Sequence, residues 1–205
     1  MQSIFKRYEK KYLITREQYA AFHPLLSRHM EPDHYGEYLV QNLYYDTESW
    51  DIIRASIERP LYKKKMRLRC YGVMNPESDL FLELKKKYQG IVHKRRIALP
   101  VKTHLFCSIR EVLSQGTSQI ARELDFYVKA TAVSEKIYIS YQRTAFAGIT
   151  EPGFRVTFDT DVRFRLDCLN CACPGDGCLI LPPEKILMSV YCSHLLTSAR
   201  VSRIT

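Results

Sequence analysis

The amino-acid sequence lacks any apolar run that approaches the length of about 20 residues needed for a membrane-spanning helix. It also lacks, near its N-terminus, the apolar segment of a secretory signal. We therefore expect no membrane segment in this chain and a cytoplasmic location for the protein.

The sequence also lacks the even cysteine count of a secreted, disulfide-bonded domain, because it contains seven cysteines. Reduced thiols are therefore expected. Four of the cysteines stand at the spacing C-x2-C-x-C-x4-C, namely Cys168, Cys171, Cys173 and Cys178. This cluster is compatible with a thiolate zinc site, although no second ligand pair stands at the spacing of ordinary zinc fingers. The alternative is a loop rich in proline and glycine with incidental cysteines.

No internal repeat and no linker divides the 205 residues, of which 46% are hydrophobic, so we expect a single domain over residues 1–205 with a real core. The net charge is +9 and the isoelectric point is about 9.2. Such a charge indicates a polyanionic partner. The alternative, a merely solvated basic surface, is disfavoured because the charges recur at strand spacing rather than being scattered.

The segment 63–70, KKKMRLRC, separates with period 2 into two faces. The basic face carries Lys63, Lys65, Arg67 and Arg69. The apolar face carries Met66, Leu68 and Cys70. Because side chains alternate across a strand, this pattern predicts a β-strand with one cationic face. A row of like charges is unfavourable, so this face predicts a partner with dense negative charge.

Charged faces of mixed sign recur on several further segments: 5–12, 80–87, 91–96, 139–143 and 154–159. Such faces are hard to place on a flat sheet. A sheet closed into a barrel gives them a shared, water-filled interior. We therefore predict an α+β fold, an eight-stranded antiparallel β-tunnel with flanking helices.

The eight predicted strands lie near residues 4–14, 38–46, 62–72, 79–87, 90–99, 135–146, 153–160 and 185–191. Three helical segments interrupt them. The first, 16–29, is capped by Thr15, and the second runs to Ile57 from a cap at Asp46 or Thr47. The third, 103–132, is broken at Gly116, with Thr117 or Ser118 as a second cap.

Six segments in this order resemble a known family: YEKKYLI (8–14), NLYYDT (42–47), RPLYKKKMRLRCYG (59–72), FLELKKKYQGIVHKRR (81–96), ISYQRTAF (139–146) and FRVTFDTDVRFR (154–165). The sequence resembles the polyphosphate polymerase domain of the vacuolar transporter chaperone (VTC) type. That domain belongs to the triphosphate tunnel metalloenzymes, or CYTH-like superfamily. The resemblance spans residues 5–188, and we expect the family match to end near residue 188.

The resemblance implies an ATP-dependent polyphosphate polymerase that binds ATP and polyphosphate in a basic tunnel and transfers the γ-phosphate to the growing chain. It assigns substrate binding and catalysis to Lys11, Arg67, Arg69, Lys85, Lys94, Arg143 and Arg155. By the same resemblance Tyr141 lies near the phosphates. Glu9 and Glu83 match acidic positions that orient the basic residues or help to hold a Mn²⁺ or Mg²⁺ ion.

The last predicted strand departs from the family pattern, because Ser189 stands where the family has its principal metal-binding glutamate. A neutral hydroxyl is a poor ligand for a hard cation. Glu184 is no substitute, since alternation places it on the opposite face. Two explanations stay open: a divergent chain end over 189–205 that impairs the enzyme, or a non-catalytic member that keeps polyanion binding. Glu9, Glu83 and Asp159 remain as candidate metal ligands.

Three alternatives to a polymerase follow from the residues. One is a triphosphatase of the same fold, although Arg7 stands where the hydrolytic and cyclase branches begin their Glu-x-Glu-x-Lys motif. Another is a non-catalytic protein that binds polyphosphate or a phosphorylated ligand. A nucleic-acid partner is disfavoured, because Tyr8, Tyr12 and Tyr62 alternate onto the faces opposite the basic residues.

Overall fold

The computed structural model describes residues 4–58, 60–89, 91–101, 108–151, 153–166, 178–179, 182 and 184–192, and only the backbone of residues 4–8 and 178–179. The candidate zinc ligands Cys168, Cys171 and Cys173, and the side chain of Cys178, lie outside these residues. The zinc site therefore stays a prediction. The divergent segment 193–205 also lies outside them.

Nine strands and four helices make up the described chain. The strands are β1 (Ile4–Thr15), β2 (Met30–Asp46), β3 (Tyr62–Tyr71), β4 (Asp79–Tyr88), β5 (Ile91–Pro100), β6 (Ser134–Gly148), β7 (Arg155–Leu166), β8 (Cys178–Leu179) and β9 (Lys185–Cys192). The helices are α1 (Arg16–Leu26), α2 (Asp51–Ile57), α3 (Ile109–Ser114) and α4 (Gln119–Thr131). None of the helices in the described part of the chain is long and apolar enough to cross a membrane.

The strands form one antiparallel sheet in the order β6-β2-β3-β4-β5-β1-β9-β7-β8. Strand β7 also pairs with β6, from Ile137 opposite Leu166 to Ala147 opposite Arg155, so eight strands form a ring. Strand β1 is shared between two neighbours: its first residues pair with β5 and the residues from Tyr8 onward pair with β9. The predicted eight-stranded antiparallel tunnel with flanking helices is confirmed, and β8 is a two-residue addition on β7.

Two strands are longer than their alternation predicted. Strand β2 begins at Met30 rather than near residue 38, because the segment around Pro32 pairs with β6 before a register shift that includes Gly36 at φ 63°. Strand β7 continues to Leu166 rather than ending near residue 160. A register shift interrupts its pairing with β6, and Asp161 there adopts φ 49°. A bulge of this kind changes the phase of the alternation.

The helix caps follow the predicted residue types. Thr15 caps α1 in a capping box, in which its hydroxyl accepts from the Gln18 N–H at 3.2 Å and the Gln18 side chain accepts from the Thr15 N–H at 2.9 Å. Ser118 caps α4, and Gly116 lies between α3 and α4 as predicted. Helix α1 ends at Leu26 instead of residue 29.

Helix α2 begins at Asp51, later than the predicted cap at Asp46 or Thr47. The prediction of a cap at Asp46 nevertheless has a structural basis. The Asp46 carboxylate accepts from the N–H groups of Ile52 at 2.9 Å and Ile53 at 3.0 Å, so it satisfies donors of the first turn from the end of β2.

Two apolar clusters pack on the outside of the ring. The larger lies between strands β3, β4 and β5 and helices α3 and α4, and contains Met66, Leu68 and Cys70. The other lies beneath α1 and contains Phe146, Phe158 and Ile186. The apolar faces of the strands are therefore covered by helices, and their charged faces point into the ring.

Candidate functional site

A buried carboxylate organises the centre of the tunnel. Glu83 lies opposite Arg67 of β3 and Arg96 of β5 in the register, and only 1% of its side chain is exposed. Its Oε2 accepts from Arg67 Nε at 2.8 Å and lies 2.7 Å from Arg67 Nη2. Its Oε1 lies 2.5 Å from Lys94 Nζ and 3.7 Å from Arg96 Nη1. One carboxylate thus holds three cations in place.

The charges around Glu83 fix its ionised form. Burial by itself raises the pKa of this carboxyl, but the positive charges of Arg67, Arg69 and Lys94 outweigh burial and hold the pKa well below its ordinary value. The same burial lowers the pKa of Lys94 to about 8, although Glu83 opposes that shift. Lys94 therefore titrates closer to neutrality than an exposed lysine does.

A second carboxylate, Glu9 of β1, pairs with two further lysines. Its Oε2 lies 2.5 Å from Lys85 Nζ and its Oε1 lies 3.7 Å from Lys11 Nζ. Burial lowers the pKa of Lys85, and the charge of Glu9 opposes this shift. The side chain of Lys11 is 54% exposed, so it has room to move toward a ligand.

Tyrosine hydroxyls link the arginines across the ring. Arg69, a buried residue, donates from Nη2 to the Tyr141 hydroxyl at 3.0 Å and from Nε to Asn42 Oδ1 at 2.8 Å. Arg67 donates to the Tyr44 hydroxyl at 3.1 Å. Burial alone raises the pKa of Tyr44, but Arg67 and Arg69 outweigh it and lower the value to about 8.

On the opposite side of the ring, Arg143 of β6 forms a bidentate pair with Asp159 of β7. Nε donates to Oδ1 at 2.6 Å and Nη2 donates to Oδ2 at 2.7 Å. Arg143 Nη2 also donates to the Tyr141 hydroxyl at 3.3 Å, so Tyr141 accepts from Arg69 and Arg143 together. A guanidinium has five N–H donors, and these pairs therefore fix its plane while leaving it charged.

Arg155 stands apart from the central groups. It pairs with Asp33, near the start of β2, and 38% of its side chain is exposed. The tunnel thus brings together Arg67, Arg69, Lys94, Arg143 and Tyr141, with Lys85 and Lys11 around Glu9. Arg155 lies in a separate pair.

The sequence model of the VTC domain matches residues 6–195 of the chain, past the residue near 188 where we expected the match to end. The chain belongs to the VTC domain family. No curated protein sequence matches it.

Solved structures resemble this VTC domain in fold. A putative adenylyl cyclase from Hippeastrum, described as having a dominant triphosphatase activity, shares 14% identity at a TM-score of 0.52, over 99% of this chain and 84% of that one. A Pyrococcus horikoshii OT3 protein has 11% identity and a TM-score of 0.46, over 98% of this chain and 84% of that chain. A putative adenylate cyclase from Vibrio parahaemolyticus has 12% identity and a TM-score of 0.45, over 97% of this chain and 82% of that chain.

The tunnel of this VTC domain also contains residues that our site prediction omitted. Arg96 lies 3.9 Å above the ring of Phe81 and faces Glu83. The sequence pattern could have identified Arg96, because it stands two residues from Lys94 and therefore on the same strand face. Asn42 and Tyr44 likewise alternate along a predicted strand. Asp33 gave no such signal, since it precedes the predicted start of β2.

At the register level of Lys11, the wall formed by β1, β9 and β7 carries two hydroxyls, between the carboxylates of Glu9 and Asp159. Ser189 lies opposite Lys11 on one side and opposite Thr157 on the other. Ser189 is 0% exposed and Thr157 is 1% exposed, and the structure gives neither hydroxyl a hydrogen-bond partner within the described residues. Strand β9 nevertheless continues through Ser189 to Cys192 with its pairing intact.

The donor set of the tunnel does not fit a divalent ion held by the protein's own side chains. Hard cations favour several carboxylate oxygens. Among the residues described, no group of three or more His, Cys, Asp or Glu side chains is placed to hold a metal. Glu9, Glu83 and Asp159 each pair with cations of the tunnel. A metal-binding role for Glu9 and Glu83 therefore stays a prediction that this arrangement does not favour.

Proposed function

We propose that this VTC domain binds linear phosphate chains, the triphosphate of ATP and polyphosphate, inside its basic tunnel. The observation that carries the proposal is the set of cations held in fixed positions by Glu83 and Asp159. Cations on the inner face outnumber the carboxylates that hold them, and a phosphate chain supplies closely spaced negative charge. Arg offers paired donors that match phosphate oxygens, and Lys offers a mobile point charge.

As the finer proposal, the domain is of the polyphosphate polymerase type and transfers the γ-phosphate of ATP to the end of a polyphosphate chain. Phosphoryl transfer requires positioning and stabilisation of charge on the equatorial oxygens more than covalent help from the protein. Arg67, Arg69 and Arg143 are candidates for this role, because their planes are fixed by Glu83, Asn42 and Asp159. The enclosed position of these groups reduces their screening by salt.

A second candidate is triphosphate hydrolysis, which is favoured by the fold shared with the Hippeastrum protein of dominant triphosphatase activity. Against it, Arg7 occupies the first glutamate position of the motif that typifies the hydrolytic branch. A third candidate is binding without turnover, which is favoured by the hydroxyl of Ser189 at the position of the family's metal-binding glutamate.

The experiment that tests these proposals is incubation of the purified chain with ATP and Mn²⁺, scored for polyphosphate, ADP and free phosphate. Polyphosphate together with ADP supports the polymerase. Free phosphate without chain growth supports the triphosphatase. Tight polyphosphate binding without turnover supports the non-catalytic binder, and no binding of either ATP or polyphosphate at low salt contradicts the proposed function.

A further inference from the structure

Two buried hydroxyls stand side by side in the wall of the tunnel. Ser189 of β9 and Thr157 of β7 are register partners, and directly opposed residues on antiparallel strands bring their Cβ atoms within about 5 Å. The side chain of neither residue has a hydrogen-bond partner within the described part of the chain. A buried donor without a partner is unfavourable, so such a pair calls for an explanation.

Both hydroxyls belong to the inner face of the ring. The residues that flank Thr157, Val156 and Phe158, pack in the outer cluster beneath α1, and Met188 packs against the same cluster. Alternation therefore turns Thr157 and Ser189 toward the interior. Lys11, the other register partner of Ser189, brings a half-exposed ammonium to the same wall.

The chemistry of this wall suits an anion better than a metal ion. A hydroxyl donates one hydrogen bond, and an ionised phosphate oxygen only accepts. A hard divalent ion, in contrast, favours carboxylates, and those of the tunnel are held by Arg67, Lys94, Lys85 and Arg143. At Ser189 the wall thus presents neutral donors beside a cation.

We propose that Ser189, Thr157 and Lys11 form a phosphate subsite that binds the chain directly, without a divalent ion. Because Ser189 and Thr157 are buried, binding displaces the side chains that cover them. The two hydroxyls then donate to non-bridging oxygens of one phosphate unit, and Lys11 supplies the opposite charge. The subsite rests on the proposed function, because it is one part of the wall along which the phosphate chain lies. It makes binding of the chain independent of metal.

The test is calorimetric titration of the full chain with sodium tripolyphosphate at low salt, once with excess EDTA and once with excess Mg²⁺. The proposal expects the affinity in EDTA to be at least as high as in Mg²⁺, because Mg²⁺ binds tripolyphosphate in solution and neutralises part of its charge. Binding that is lost in EDTA overturns the metal-free subsite and leaves the proposed function standing. Binding in neither condition overturns both, so the two failures are distinguishable.

The double variant Ser189→Ala with Thr157→Val removes both hydroxyls with little change in shape. We expect at least about tenfold weaker binding in EDTA, because two charge-assisted hydrogen bonds to phosphate are lost. The melting temperature should be unchanged or higher, because two unpaired buried donors are gone. A merely structural role of these residues would not weaken binding while the fold is kept. Unchanged affinity overturns the assignment of the two hydroxyls.

The matched control is Thr144→Val, which removes the hydroxyl of a residue of β6 that lies in the outer cleft beside Tyr19 and Phe158. Its affinity for tripolyphosphate in EDTA should equal that of the unaltered chain. A loss equal to that of the double variant would show that the effect does not come from the tunnel wall, and would overturn the subsite.

The opposite variant, Ser189→Glu, places a carboxylate between Lys11 and Thr157. We expect it to weaken tripolyphosphate binding in EDTA by at least about tenfold, because a negative charge then faces the phosphate, and to recover affinity when Mn²⁺ or Mg²⁺ is added. Turnover of ATP that appears only with this variant would agree with the same assignment. An affinity in EDTA equal to that of the unaltered chain would contradict it.

Discussion

Glu83 is the residue on which the arrangement of the tunnel's cations depends most directly. It is almost fully buried and pairs with Arg67, Lys94 and Arg96. The pKa of its carboxyl lies below the ordinary value, so its contribution to stability is present at neutral pH and is lost as the pH falls through the native pKa. The residue therefore stabilises the fold by offsetting the repulsion among the cations that it holds.

We expect Glu83→Gln to lower the free energy of unfolding by about 3 kcal/mol at neutral pH, because it leaves buried cations without their carboxylate. Urea denaturation followed by circular dichroism measures this change. The exposed Glu31, changed to Gln, is the control and should cost less than about 0.5 kcal/mol. A loss of less than about 1 kcal/mol for Glu83→Gln would show that the cations do not need this partner.

The arginine pair of β3 carries the next prediction. Replacing Arg67 and Arg69 by Gln should weaken polyphosphate binding at least about 100-fold, since each loses a charge-assisted hydrogen bond to phosphate. The control, Arg110→Gln with Arg122→Gln, removes the same charge from exposed positions on α3 and α4. Equal affinities of the two double variants at low salt would contradict the tunnel as the binding site.

The pH dependence of binding follows from two groups whose pKa values lie near 8, Lys94 and Tyr44. As the pH rises from about 7 to about 9, Lys94 loses its positive charge and Tyr44 gains a negative charge. Both changes reduce the positive potential of the tunnel, so we expect affinity for tripolyphosphate to fall by about tenfold or more across this range. Calorimetric titration at several pH values measures the fall.

Two variants separate the contributions to this pH profile. Lys94→Arg keeps its charge throughout the range, and Tyr44→Phe cannot ionise. Each should flatten part of the profile, and the double variant should flatten most of it. A profile that is unchanged in the double variant would assign the titration to other groups.

At the scale of the elements, α2 depends on a side chain that lies outside it. The Asp46 carboxylate accepts from the N–H groups of Thr47, Ile52 and Ile53, and it is buried at the end of β2. We expect Asp46→Ala to lower the free energy of unfolding by about 1 to 2 kcal/mol. Asp46→Asn should lower the free energy of unfolding less than Asp46→Ala does, because its amide oxygen still accepts a hydrogen bond. Urea denaturation that gives the same free energy of unfolding for the unaltered chain and both variants would contradict the cap.

The strands show why much of the fold was predictable. In β3, β4 and β5 the alternation of charged and apolar residues gave bounds within about two residues of those observed. The start of β2 could not be predicted in this way, because Pro32 and Gly36 are typical of loops. Pro32 pairs with β6 only through tertiary contact, and Gly36 lies in the register shift that follows. The end of β7 could not be predicted either, because the bulge at Asp161 changes the phase of the alternation.

The candidate site was predictable as a set of residues but not as a set of pairs. Period 2 assigned Arg67, Lys85 and Lys94 to inner faces, and the structure agrees. The ion pair between Asp33 and Arg155 joins strands far apart in the sequence, and no local pattern reports such a contact. The hydroxyl of Thr157 gave no signal at all, since its importance depends on the register of β7 against β9.

At the scale of the whole molecule, the net charge of +9 opposes the closed ring in the absence of a polyanion. Under the proposed function we expect tripolyphosphate to raise the melting temperature, because a ligand that binds the folded tunnel more tightly than the unfolded chain stabilises the fold. Salt at about 1 M should raise the melting temperature without ligand and reduce the increase caused by ligand, since screening weakens both repulsion and attraction. Differential scanning fluorimetry measures the melting temperature with and without ligand. If the ligand raised the melting temperature equally at low and high salt, binding by charge would be contradicted.

The pairing of β1 with β9 also has a consequence for how the protein is made. Tyr8 pairs with Cys192, so β1 is made well before its partner β9. At synthesis rates of about 5 to 20 residues per second, β1 waits on the order of ten seconds or more for this partner. During that interval the Tyr8–Thr15 edge of β1 lacks the strand that pairs with it in the folded protein, so a lysine-bearing edge is open to other polyanions.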